Sequence, residues 1–355
     1  MSLRSLLRKE LYWSRRNLLV LLLVLCLVPG FFAASSLLFQ DVIPRDTPVA
    51  VVAGSDDVTA DELFAVQAGL SFFATPVEYG DRDPALRDLQ REGVYAVVEV
   101  PHGIREPGRA VTFRLFVDGS MVPFKEPSQT IAAIMESRLD RELDATVSVE
   151  RVVVGNSHDL SGYLVPIVLL GLVMLLAFTF VPYALTSERR ALDRLRLESS
   201  LEAVVGAKLL FCTLLMLVPL VVFHLVLGAI GFDIAALTPV TVLAVLLTFV
   251  ALSAVAMAVV VATRFTATGR LVNVVLLLFV LGFSGLAYPA GYFSALRKTV
   301  VRGMPTHYAT VLVRSSMLRE LPLSAFADWL VGLAGVAVAA LVVLELSLVY
   351  YRRTV

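Results

Sequence analysis

Long uncharged apolar runs alternate with short basic segments along this chain, and one extended stretch near the front breaks the rhythm. A helix needs about 20 apolar residues to cross a hydrocarbon core of about 30 Å. Six stretches qualify, at residues 18–39, 162–185, 208–230, 240–263, 270–291 and 327–350. The first five carry no charge beyond the edge residues Lys208 and Arg270. The pattern predicts a membrane all-α bundle of six transmembrane helices, the first at 18–39 and five more within 161–355. Residues 40–160 are patterned differently. Short β-rich runs at 48–52, 95–100, 111–117 and 147–154 read as strands. The capping box Thr59-Ala60-Asp61-Glu62 opens a helix that sets Leu63, Val66, Leu70 and Phe73 on one face. Asp83-Pro84 starts a second helix, and 127–146 forms a third with Ile131, Ile134, Met135, Leu139 and Leu143 on one face. A segment of this length can bury a core of its own. It is expected to be an inserted α/β domain between spans one and two.

Charge then orients the bundle. Arg4, Arg8, Lys9, Arg15 and Arg16 precede the first span, and Arg189, Arg190, Arg194 and Arg196 follow the second. Arg264 and Arg270 mark the turn after the fourth, and Arg352 and Arg353 end the chain. With six spans all four segments fall on one side, which the positive-inside rule makes cytoplasmic. Both termini are then cytoplasmic, and residues 40–160, where acidic residues outnumber basic ones, are extracytoplasmic. Residues 292–326 run against this rule, holding Arg297, Lys298, Arg302, Arg314 and Arg319 on the outer side. Val300, Val301, Met304, Tyr308, Val311 and Leu312 are interleaved with them, so the expectation is re-entrant or interfacial helices. The first run also has a signal-peptide look, with Ala33-Ala34-Ser35 after an apolar stretch. Glu10, Trp13 and apolar character continuing to Phe39 favour a retained span.

Composition agrees: 58% of residues are hydrophobic and the mean hydropathy is +0.81, beyond what a soluble domain carries. Cys26 and Cys212 both lie in apolar runs, so no disulfide framework is implied.

Candidate chemistry is sparse. The chain has no GxxxxGK[ST] phosphate loop, so any ATP would be bound by a partner chain, and no cofactor is expected on this one. There is no HExxH and no Cys/His cluster, and neither a metal site nor a catalytic residue is expected; His158-Asp159 reads as a solvated loop pair. Gly282-Phe283-Ser284-Gly285 matches the GxSG signature of rhomboid-type intramembrane serine proteases. Such a site needs a histidine at the same depth to take the serine proton, and His224 is the only intramembrane histidine. The competing reading is close helix packing or a helix break near Pro289. Ionisable groups inside spans are functional hypotheses by default. His224, Asn273 and Ser284 are therefore the candidate transport-path residues. Glu345 is expected to reach the interface or pair with Arg352 or Arg353.

The segment 186–207 is too long and too charged for a plain turn. Residues Ser187 to Glu202 set Leu192, Leu195 and Leu197 among alternating charges, the pattern of an amphipathic helix that docks a soluble protein. Glu188-Arg189, then Leu192-Asp193-Arg194-Leu195, then Gly206-Ala207-Lys208 resemble the link after the second span in ABC type-2 transporter permeases. The Gly-Thr and Pro usual in that family are missing here, and Ala207 separates Gly206 from Lys208. The outer segment is similar to that of the family's long-loop branch. Val49-Ala50-Val51-Val52 with Asp56, Gly93 to Pro101, and Phe116-Val117-Asp118-Gly119-Ser120 match in order. Pro305-Thr306-His307-Tyr308 resembles its Pro-x-x-Tyr segment before the last span.

The resemblance implies the permease subunit of an ATP-driven exporter, working as a homodimer or as a heterodimer with a second permease. It implies an amphipathic helix within 1–17 on the cytoplasmic membrane face. A separate ABC ATPase subunit would dock at 186–207 through Glu188, Arg189, Leu192, Asp193, Arg194 and Leu195. Partners would be that ATPase and the lipid bilayer, with no nucleic acid. The rival readings are a rhomboid-like protease with Ser284 as nucleophile, and a non-transporting receptor that binds through its outer domain.

Overall fold

The computed structural model describes residues 47–72, 74–142, 145–187, 200–232, 234, 236–286, 288–290 and 295–354. The expected helices at 1–17 and 18–39 and the core of the link, residues 188–199, lie outside the described residues.

Between residues 47 and 154 the chain folds around a five-stranded sheet of order β2-β1-β3-β4-β5. The strands are β1 (Thr47–Ala53), β2 (Ala74–Glu78), β3 (Ala96–Val100), β4 (Ala110–Asp118) and β5 (Thr146–Val154). β1 pairs parallel with β2 and β3, β4 runs antiparallel to β3, and β5 is parallel to β4. Strand β2 had no counterpart in the sequence reading. It is five residues long, contains Pro76 and lies at the sheet edge, where a residue without an N–H is tolerated. Helix α1 (Ala60–Leu70) starts on the expected box: Glu62 N–H donates to Thr59 Oγ1 at 3.3 Å, and Thr59 N–H donates to Glu62 Oε2 at 2.8 Å. Helix α2 (Arg82–Gln90) begins one residue before Asp83-Pro84, and α3 (Lys125–Glu142) links β4 to β5.

Strand alternation sorts the core into two faces. Val49, Val51, Val98, Phe113 and Leu115 pack with Val66 and Leu70 of α1 and Met135 and Leu139 of α3. Ala50, Val52, Val97 and Phe116 pack with Ala85 and Leu89 of α2 on the other side. Because β4 and β5 run opposite to β3, the start of β3 and the ends of β4 and β5 share one edge of the sheet. From that edge the chain passes into the helical layer.

Four helices among the described residues are long and apolar enough to cross a membrane: α4 (Leu160–Ser187), α5 (Leu201–Ala229), α6 (Pro239–Ala262) and the helix within Leu323–Thr354. We label the last, from its α-helical start, α10 (Ala327–Thr354). Two connectors precede it, α8 (Ala295–Gly303) and α9 (Pro305–Leu318), in the segment expected to hold short helices.

Three details depart from the expected spans, each for a local reason. The span expected at 270–291 ends early, as α7 (Ala267–Phe283), because Ser284 caps it and Gly285 turns left-handed at φ +68. An ideal Cβ on Gly285 would also come within 3.4 Å of His307 Nδ1, so only glycine turns here without strain. Helix α4 carries a π-type turn, Leu176–Phe180, where Val181 N–H reaches the Leu176 carbonyl five residues back. Pro182 follows and has no N–H to continue the ordinary ladder. Helix α5 begins at Leu201, inside the expected link, and steps at Met216, three residues before Pro219.

Candidate functional site

The residues that fasten the sheet to the helices are charged, buried and concentrated at the shared sheet edge. Helix α2 ends at Gln90, and the next two residues diverge. Arg91 points to the start of α10: Nε donates to the Ala325 carbonyl at 3.1 Å and Nη2 to Asp328 Oδ1 at 2.7 Å. Its guanidinium lies 5.5 Å from the Phe326 ring centre and 5.3 Å from that of Trp329. Glu92 points instead into α9. It adopts φ +59, an unusual backbone for a non-glycine residue, and its side chain is 1% exposed.

Arg314, at 0% exposure, is the centre of the junction. Its Nη1 donates to Glu92 Oε1 at 2.8 Å and Oε2 at 3.0 Å. Its Nη2 donates to the Leu286 carbonyl at 2.9 Å, just past the end of α7, and its guanidinium lies 5.1 Å from the ring centre of Tyr163 on α4. One side chain of α9 therefore holds the sheet, α7 and α4 together. Arg319 extends the network, with Nε donating to Asp118 Oδ2 at 2.6 Å and Ser120 Oγ at 3.0 Å, and Nη1 to the Gln90 carbonyl at 2.7 Å. His158 Nε2 hydrogen-bonds the Leu318 carbonyl at 2.9 Å, while Asp159 caps α4 by accepting from Gly162 N–H at 2.8 Å. Of the pair expected to be solvated, Asp159 is exposed, while His158 is a structural fastening. Gly119 is needed beside it, since a Cβ there would fall 2.8 Å from Val153 Cγ1 and 3.0 Å from the Asn156 carbonyl.

Electrostatics follow from this burial. Removal from water alone raises the Glu92 carboxyl, but the Arg314 and Arg319 charges outweigh it and hold the group below its ordinary 4.5. Burial pulls Arg314 down while Glu92 pushes it up further, so it stays charged. His307 is pressed down to about 4 by burial, partly countered by Glu92, and is neutral at pH 7.

The sequence-derived candidates are not gathered here. Glu188, Arg189, Leu192, Asp193, Arg194 and Leu195 lie outside the described residues. His224 is half-exposed on α5, and its Nδ1 has no hydrogen-bond partner among them. Asn273 is fully buried between α7 and α6, with Nδ2 donating to the Ala256 carbonyl at 3.0 Å. Ser284 Oγ donates to the Leu281 carbonyl and accepts from Leu286 N–H, both at 3.2 Å. His307 does approach the neighbouring Gly285, but no hydrogen bond joins it to Ser284, whose hydroxyl is used in ending α7. Glu345 is exposed, and Arg352, one of the two arginines offered as its partner, lies with its Nε 3.0 Å from Glu202 Oε1.

That last pair belongs to a second cluster, at the end of the bundle away from the sheet. Lys208 Nζ donates to the Ala184 carbonyl at 3.2 Å, joining the two ends of the charged link, and Arg264 Nη2 reaches the Thr354 carbonyl at 3.4 Å. The link ends, the α6–α7 turn and the chain's basic C-terminal segment therefore meet at one end. A family model described as ABC-2 family transporter protein matches residues 16–344. The chain belongs to the ABC-2 transporter family. No curated protein and no solved structure matches it. Membership makes this a multi-pass membrane protein and a permease component of an ABC transporter rather than an enzyme. The match takes in the sheet, the junction and the charged link alike, so all three belong to the transporter.

Proposed function

We propose that this chain is the membrane-spanning subunit of an ATP-driven exporter, powered by a separate ABC ATPase that docks on the link at 186–207. The family match over residues 16–344 carries the reading. In this account the chain has six spans, with 18–39 as the first and α7 as the fifth, and works as a dimer. The sheet and its helices are the inserted extracytoplasmic domain. Its support is the bundle's polarity: the sheet sits at one end, while Lys208, Arg264 and Arg352 meet at the other. The positive-inside rule assigns that second end to the cytoplasm.

ATP-driven closure of the ATPase pair would push the link, whose two ends continue directly into α4 and α5. Helix α4 also meets Arg314 through Tyr163 at its far end, so movement of this helix would be felt at the outer junction. His224 and Asn273 remain candidates for a transport path. Ser284 is better explained by its cap hydrogen bonds than by nucleophilic chemistry, which favours the transporter over the protease. The test is topological and biochemical together. Single cysteines at the exposed Ser55, in the turn after β1, and at Ser199, in a background lacking Cys26 and Cys212, should label from opposite faces with an impermeant thiol reagent. The chain should also co-purify with an ABC ATPase encoded beside it. Labelling of both positions from outside would sink the six-span account, and absence of any such ATPase from the purified complex would sink ATP coupling.

A further inference from the structure

A slot of about 250 Å³ lies between the α8–α9 corner and the first turns of α10. Tyr308, Trp329, Gly332, Leu333 and Val336 line it, with Asp328 at its mouth. Its depth can be placed from the helix itself. From Trp329 to Tyr350 an α-helix rises about 32 Å at about 1.5 Å per residue, close to the hydrocarbon thickness of about 30 Å. Aromatic residues flank the membrane-spanning part at both ends, Trp329 at one and Tyr350 with Tyr351 at the other, before Arg352 and Arg353. This is the girdle pattern of a membrane interface. The slot therefore starts at headgroup level and runs along Gly332, Leu333 and Val336 into the acyl region.

Its chemistry matches that position. The wall is apolar and aromatic, with Tyr308 and Trp329 packed edge to face at 5.1 Å. A Cβ on Gly332 would meet no atom within 4 Å, so the missing side chain is space the slot keeps open. At the mouth, the Asp328 side chain is 60% exposed, and only its Oδ1 is engaged by Arg91. The Trp329 ring lines the slot next to it. A carboxylate with a free oxygen at the mouth of an apolar slot suits a headgroup that offers an ammonium.

We infer that the slot between Tyr308 and Gly332 binds one acyl chain of an amine-headed phospholipid, with the lipid's ammonium at Asp328. The site requires only that the chain spans a membrane, so its failure would leave ATP coupling untouched. It also places a lipid beside Arg91, where the sheet grips α10.

The chain has two tryptophans, so Trp13→Phe leaves Trp329 as the single reporter. The full-length protein would be reconstituted in vesicles containing brominated-chain phosphatidylethanolamine, phosphatidylcholine or phosphatidylglycerol, and tryptophan quenching followed against mole fraction. The expected result is half-quenching by the ethanolamine lipid at an about three- to fivefold lower mole fraction than by the other two, the range of an exposed charge contact. Asp328→Asn should erase that preference while chain quenching persists. Gly332→Leu, which leaves the Arg91 pair untouched, should reduce quenching by all three lipids. Equal half-quenching by every headgroup, unchanged by both variants, would mean ordinary annular contact and overturn the site. Absence of quenching by any lipid would mean that protein covers the slot, and would overturn it equally.

Discussion

Replacing Glu92 with Gln removes one charge from the junction while keeping an acceptor of nearly the same shape. In the native protein the carboxylate takes both Arg314 Nη1 bonds, at 2.8 and 3.0 Å, and lies 3.4 Å from Arg319 Nη2. Arg319 keeps Asp118 when Glu92 is neutralised. Among the described residues Arg314 has no second carboxylate, and it is left buried with the Leu286 and Gly285 carbonyls and the Tyr163 ring. Leaving one member of a buried pair uncompensated costs about 3–5 kcal/mol, and the retained amide acceptor brings the expectation to about 3. Arg314→Met should cost a comparable amount, because Glu92 then keeps only the longer Arg319 contact. The double variant should cost at least about 1.5 kcal/mol less than the sum of the two. The assay is pulse proteolysis across a urea series on detergent-solubilised protein, with hydrogen exchange at the start of β3 and the end of α7 as a local readout. Because the folded Glu92 carboxyl lies below its ordinary 4.5, this stabilisation is fully present above pH 4.5 and disappears as pH falls through the lower folded value. Single variants costing under about 1 kcal/mol, or strict additivity, would refute the view that Arg314 is a joint rather than a bystander.

Through His307 the protein should also lose stability on acidification, over a higher pH range. The folded imidazole titrates near 4 and the unfolded one near 6.5, so acidification between those values lets the unfolded chain take a proton that the folded chain refuses. Stability should fall over that interval in the wild type and less steeply in His307→Gln; identical slopes would remove the histidine from the account. Ser284→Ala should cost about 1 kcal/mol through the lost Leu286 N–H acceptor, and wild type should not label with a fluorophosphonate. Serine-specific labelling absent in the mutant would revive the protease reading.

Period and punctuation made much of the architecture legible. The Thr59 box and the strands around Val49, Val97 and Phe113 follow from local pattern, because each has a periodic apolar face and a clear end signal. Edge strand β2 was not legible, since a strand holding Pro76 with one side unpaired shows little of that period. The early end of α7 was missed because Gly285 sits in a run that stays apolar to Ala290, and hydropathy does not register a left-handed turn. The junction was the largest omission. Arg314 and Arg319 were visible as charges that violate the topology rule, and that violation was the available signal. Their partners Glu92 and Asp118 lie some 200 residues away in sequence, and only the fold brings them together.

Coupling to ATP would run through the link between α4 and α5, where Leu195 is expected to sit in the ATPase contact. The measurement is ATP hydrolysis and retention of the ATPase in membranes that carry both proteins, comparing wild type, Leu195→Met, Leu195→Asp and Arg194→Glu. Burying an unpaired carboxylate is costly whereas a methionine keeps the apolar contact, and a charge pair buried in the interface costs about 2–5 kcal/mol to break. Wild type and Leu195→Met should hold the ATPase and sustain hydrolysis, while Leu195→Asp should insert normally, release the ATPase and stop export. Full retention and full activity in both Leu195→Asp and Arg194→Glu would contradict coupling through this segment.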